Sequence, residues 1–145
     1  MGWHKSPADT ALPSAAVEDQ ARRVAADVER LADRLRRLSP ARLSQPLPPY
    51  GTRADAGRFA AQLLADAAQG MEERDGSAAP RWRTVPSLPD HVVGEQVAVT
   101  GHDLLAALHG LAPDLPVWTQ QGRRPATEVL AEAADSLRTL KLAVG

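Results

Sequence analysis

Four side chains able to hold a metal or move a proton fall at helical intervals in one stretch of this chain: His91, Glu95, His102 and His109. Intervals of four, seven and seven residues would place them on one helix face. Residues seven apart on a helix are separated by about 10 Å along its axis, so His102 and His109 cannot share an ion unless the helix breaks. Only His91 with Glu95 has ligand spacing, and the remaining histidine, His4, sits in an unpatterned N-terminal stretch. No metal site and no cofactor is therefore expected. The face reads as a solvated one, opposite the apolar Val93, Val97 and Leu104.

Other chemistry finds less support. No serine lies in a Gly-x-Ser-x-Gly turn, and no spacing ties a serine to a histidine and a carboxylate. Gly94 and Gly101 lack the flanking Lys-Ser/Thr of a phosphate-binding loop. Glu72 with Glu73, and Glu128 with Glu132, fall at helix ends or on outer faces, where charge is hydrated. The chain has no cysteine, which excludes disulfides, thiolate nucleophiles and cysteine zinc sites. No catalytic residue is assigned, and a non-catalytic protein is the preferred reading.

Arginine forms three clusters: Arg34, Arg36, Arg37 and Arg42; Arg81 and Arg83 around Trp82; and Arg123 with Arg124. The first sits where a helix ends, and cations are favoured there by the helix dipole alone. Arg81-Trp82-Arg83 lies between predicted helices, as does Trp118 in the next loop. A tryptophan so placed can anchor a partner, stack on a base or cover the end of its own fold. Arg81, Trp82, Arg83 and Trp118 are the expected partner-binding residues, with self-covering as the structural alternative. A net charge of −1 argues against general binding of nucleic acid, which draws its energy from phosphate neutralisation.

The elements that would carry these residues are helical. The first helix is expected over 14–39, from an N-cap at Ser14 to Pro40. Its apolar positions are Val17, Ala21, Val24, Val28, Leu31, Leu35 and Leu38, alternating steps of four and three. A proline-rich linker leads to a second helix over 53–73, opened by the capping-box pattern Thr52-Arg53-Ala54-Asp55. Its stripe is Ala56, Phe59, Ala60, Leu63, Leu64, Ala67 and Met71. A third helix is expected over 88–110, with Ser87 to Asp90 as a second capping box and Val93, Val97, Thr100, Leu104, Leu108 and Leu111 as its stripe. The β-branched residues of 92–99 make a short strand there the alternative. Under the helical reading, Gly94, Ala98 and Gly101 form a ridge that admits a close neighbour. A loop from Gly110 to Arg124 precedes a fourth helix over 125–144, striped by Ala126, Leu130, Ala133, Leu137, Leu140 and Val144.

Together these predict an all-α fold, an antiparallel four-helix bundle in up-down order, with residues 1–13 as a flexible tail and 14–145 as one domain. At 145 residues the chain can bury a sufficient core unaided. Aromatics are only 3% of residues, so Leu, Val and Ala must fill that core. Lysine occurs only as Lys5 and Lys141 among 17 basic residues, a bias expected of a high-GC bacterial genome. No stretch has the length and apolarity of a membrane span and no signal segment is evident, so a cytoplasmic protein is expected. The heptad stripes point to self-association, as a homodimer, or to pairing with a helical protein partner. A ligand-binding or catalytic pocket between the second and third helices, near Phe59, Met71 and the Gly94 ridge, is the second reading. A nucleic-acid-associated regulator using the arginines is the third.

Overall fold

In the computed structural model, residues 7–145 are described, with side chains from residue 15 onward. Most of the predicted stripe residues, spaced by four and three, are the ones withdrawn from water. Helix α1 (Pro7–Arg37) buries Val17, Val24, Val28, Leu31 and Leu35. It begins at Pro7, ahead of the expected cap at Ser14, whose side chain lies outside the described residues, as do residues 1–6 with His4. A single turn, α2 (Pro40–Leu43), is capped by the Ser39 hydroxyl, which accepts from the Arg42 amide at 3.2 Å. A two-residue ladder joins β1 (Pro46–Leu47) to β2 (Gly51–Thr52) and turns the chain into α3 (Arg53–Glu72).

The capping box at α3 forms as expected. Thr52 Oγ1 accepts from the Asp55 amide at 3.1 Å, and Asp55 returns the bond to the Thr52 amide at 3.0 Å. That amide bond, more than any charge, holds the Asp55 carboxyl below the usual carboxylate range. The second expected box does not form. Asp90 opens a 3-10 turn (Asp90–Val92) without a side-chain cap, and its carboxylate accepts from Arg58 at 2.7 Å. Helix α4 (Val93–Ala107) then follows, so the β-branched run of 92–99 is helix and not strand. Val93 and Val97 are fully buried there, and burial decides over intrinsic preference.

Two strands lie instead in the last predicted loop. β3 (Pro116–Thr119) pairs antiparallel with β4 (Gly122–Pro125), in the register Val117 with Arg124 and Trp118 with Arg123. Gly122, at a φ of 104°, makes the turn that a side chain would strain. Helix α5 (Ala126–Val144) completes the chain and buries every member of its predicted stripe. The protein is thus mostly helical with two small antiparallel sheets.

The long helices are only partly neighbours in sequence order. α1 packs against α4 and α5, and so does α3, whereas α1 and α3 scarcely meet. The expected up-down order of adjacent helices is corrected accordingly. The small ridge of α4 explains the α1 contact: a Cβ on Gly94 would lie 2.9 Å from the Ala32 carbonyl, and one on Gly101 would strike Val28. Because Gly94 meets the later part of α1 and Gly101 the earlier part, these two helices run antiparallel. Leu31, Leu64, Leu104, Leu130 and Leu137 are fully buried at the centre, each such side chain stabilising the fold by about 1.5–3 kcal/mol relative to exposure. None of the described helices is long and apolar enough to cross a membrane.

Candidate functional site

α3 also carries Gln62, Asp66 and Gln69, spaced four and then three residues apart along one polar stripe, the first two partly buried and Gln69 buried. The two glutamines hold the connection that runs from the end of α3 back toward its start. Gln69 Nε2 donates to the Arg81 carbonyl at 2.8 Å, and its Oε1 accepts from the Arg83 amide at 3.0 Å. Gln62 repeats the pattern further along, donating to the Arg83 carbonyl and accepting from the Val85 amide, both at 2.9 Å. Each side-chain amide thus takes the place of a neighbouring strand for an extended segment that has none. Arg58 Nη2 continues the series at the Leu88 carbonyl, 2.6 Å away, and Gln96 of α4 holds the Pro86 carbonyl at 2.7 Å. The segment 80–89 is a strap fixed to α3 at several points.

That strap places Trp82, half-buried, at one wall of a cleft of about 540 Å³. The opposite walls come from α3, α5 and the β3–β4 turn. Phe59, Leu63 and Ala67 of α3 face Val129 and Ala133 of α5. Gln120 and Gln121 of the turn close one end. Clefts of some hundreds of cubic ångströms with mostly apolar walls and a few polar groups are where proteins take ligands and partner side chains. Phe59, expected in the core, is 50% exposed at the rim and packs on Tyr50 with ring centroids 5.3 Å apart. The reason is geometric: Ala60, Leu64 and Ala68 take the core side of α3, which rotates Phe59, Leu63 and Ala67 toward the cleft.

Three carboxylates and one guanidinium line the cleft. Arg124 is held between Glu128, at 3.1 Å, and Glu132. Asp135 lies 3.6 Å from Arg138. Asp66 differs from them. It is half-buried, and its contacts are the neutral amides of Gln62, at 2.8 Å, and Gln120, at 3.2 Å. Among the described residues it forms no ion pair, and its withdrawal from water raises its carboxyl above the usual range despite the Gln62 bond.

The four sequence-predicted partner residues separate here. Trp82 enters the cleft wall. Arg83 reaches toward Glu72 and Glu73, at 3.7 and 3.9 Å, and Arg81 is exposed while its carbonyl serves the strap. Trp118 turns to the protein's own loop: its Nε1 donates to the Gly76 carbonyl at 3.3 Å, with the Arg123 guanidinium 4.2 Å above its ring. Arg123 also donates to the Arg74 and Gly76 carbonyls, at 3.0 and 2.6 Å. The two tryptophan-bearing segments converge on Gly70 of α3, where an added Cβ would overlap the Trp118 carbonyl and meet the Trp82 ring at 3.5 Å.

The α4 face offers no comparable assembly. His91, His102 and His109 are exposed, and the Glu95 carboxylate is engaged by Arg36 Nε at 2.7 Å. Met71, expected beside a pocket, is fully buried, and Gly94 faces α1. The cleft lies between α3 and α5, and neither Met71 nor Gly94 lines it. Gln62, Asp66, Gln69 and Gln120 were not singled out by the sequence. A polar stripe at helical spacing on an alanine-rich helix was the available signal. Comparison with protein-family models, with curated proteins and with solved structures finds no significant match.

Proposed function

We propose that this chain is a non-catalytic interaction module on a four-helix bundle frame, acting in the cytoplasm, and that it binds a partner protein through the cleft between α3, α5 and the strap. The observation that carries this reading is an apolar-walled cleft assembled from Phe59, Leu63, Ala67, Val129, Ala133 and Trp82, three of them from segments distant in sequence. Large apolar side chains left at a concave surface are what a partner buries, and tryptophan is the residue that most often anchors such contacts. The heptad stripes support the same choice by being used up: Val24, Val28, Leu31, Leu35, Leu130 and Leu137 turn inward, so a dimer built on them would have to open the core. Binding is favoured over catalysis because the cleft pairs no nucleophile with a base and sets its one unpaired carboxylate among amides.

Selection from a random peptide display library, with counter-selection on an Ala67→Arg variant that places a large side chain from the partly exposed wall of α3 in the cleft, tests this. Enrichment of peptides that bind the parent protein and not the variant is expected. No enrichment, or peptides bound equally by both, would remove the cleft from the reading.

A further inference from the structure

Asp66 is in an unusual position for a carboxylate. Its fellow acids in the cleft, Glu132 and Asp135, each have an arginine beside them. Asp66 is more withdrawn from water than either, and still has only the amides of Gln62 and Gln120. Desolvating a carboxylate without a cation is costly, and a cation that enters the same low-dielectric site recovers much of that cost. Around it the cleft carries an excess of negative charge, since its single guanidinium, Arg124, is already held by Glu128 and Glu132. The walls are apolar on both sides, with Phe59 half exposed and Trp82 half-buried.

Resting on the binding reading above, we infer that the cleft receives an arginine side chain of the partner, its guanidinium on Asp66 and an adjacent apolar residue against Phe59, Leu63 and Val129. Arginine fits better than lysine for two reasons. Its planar fork can bond a carboxylate through two N–H groups, and its weakly hydrated face lies well on aromatic and apolar walls. The molecule already uses that second property within itself, where Arg123 lies 4.2 Å above the Trp118 ring. The amides of Gln62 and Gln120 hold Asp66 in place from two sides, so a guanidinium meets a carboxylate that is already oriented.

The probes are two capped pentapeptides, Ac-Ala-Leu-Arg-Leu-Ala-NH2 and its counterpart with Gln in place of Arg, titrated to 10 mM and followed by the indole N–H resonance of Trp82. The arginine peptide is expected to bind about tenfold more tightly than the glutamine peptide, the size of one charge-assisted contact. That preference should vanish in Asp66→Asn, and an unchanged amide spectrum away from the cleft would show that the variant keeps its fold. Equal binding of the two peptides overturns the arginine inference while leaving a cleft that takes apolar side chains. Binding of neither peptide also overturns it, and the display selection then decides separately whether the cleft binds anything.

Discussion

α3 and α4 each carry a polar stripe, and only that of α3 holds a long connecting segment by its backbone. His91 in the turn before α4, His102 on it and His109 just beyond its end are exposed, and Glu95 bonds to Arg36 of α1. On α3, Gln62 and Gln69 between them make four hydrogen bonds to the backbone of the strap, and Asp66 sits in a cleft. The histidines are the more reactive side chains, yet the glutamines have the larger role. A polar stripe gains a function from what a loop brings to it, because buried backbone groups without a strand partner must be satisfied by something.

The comparison can be broken most severely at Gly70, where both tryptophan-bearing segments press on α3. Gly70→Ala places a methyl against the Trp118 carbonyl, a backbone atom that cannot swing aside. It should cost about 2–3 kcal/mol, as overpacking does, read as a drop in urea midpoint. A midpoint within error of the parent would mean that the hairpin is not pressed against α3.

A middle-sized effect comes from substituting one residue on each stripe. Gln69→Leu leaves the Arg81 carbonyl and the Arg83 amide without their partner and should cost about 1–2 kcal/mol. His102→Ala should fall within about 0.5 kcal/mol of the parent. Equal losses in the two variants would erase the distinction between the helices. Faster hydrogen exchange at Arg83 and Val85 in Gln69→Leu would sharpen it.

The smallest effect sets two acids of α3 against each other. The carboxyl of Asp55 is lowered by its bond from the Thr52 amide, so its stabilisation is complete above the unfolded value near about 3.9 and is lost as pH falls further. The carboxyl of Asp66 is raised by burial, so its penalty is complete at neutral pH and is relieved as pH falls toward that same value. Asp55→Asn should therefore lower the urea midpoint at pH 7 and Asp66→Asn raise it, both differences shrinking in acid. A loss of stability in Asp66→Asn at pH 7 would mean that the carboxylate is stabilised where it stands. A gain there, beside a loss of arginine binding, is the exchange of stability for function expected at a binding site.

How much of this was legible depended on whether a feature was local. The stripes Val93, Val97, Leu104 and Ala126 to Val144 repeat at helical spacing, and the burial followed. The capping box at Thr52 and Asp55 is complete within four residues, and it formed. Its apparent twin at Ser87 to Asp90 did not form: α4 begins only at Val93, and the Asp90 carboxylate accepts from Arg58, distant in sequence. The β3–β4 hairpin was read as loop, since strands of four residues carry little periodic signal and a proline stands at the outer end of each.

The sequence by itself determined that there are four long helices and, for α1, α4 and α5, which side faces inward, because a repeat of about 3.6 residues is written into the order of apolar side chains. It also excluded cysteine chemistry outright. Only the tertiary structure decided that α1 and α3 both pack on α4 and α5, that Phe59 faces a cleft, and that Trp82 enters it while Trp118 does not. Those outcomes depend on where a connection such as residues 73–89 returns along the fold, and on which side chains can satisfy its backbone. Both are settled by contacts between residues far apart in the chain, which no local spacing records.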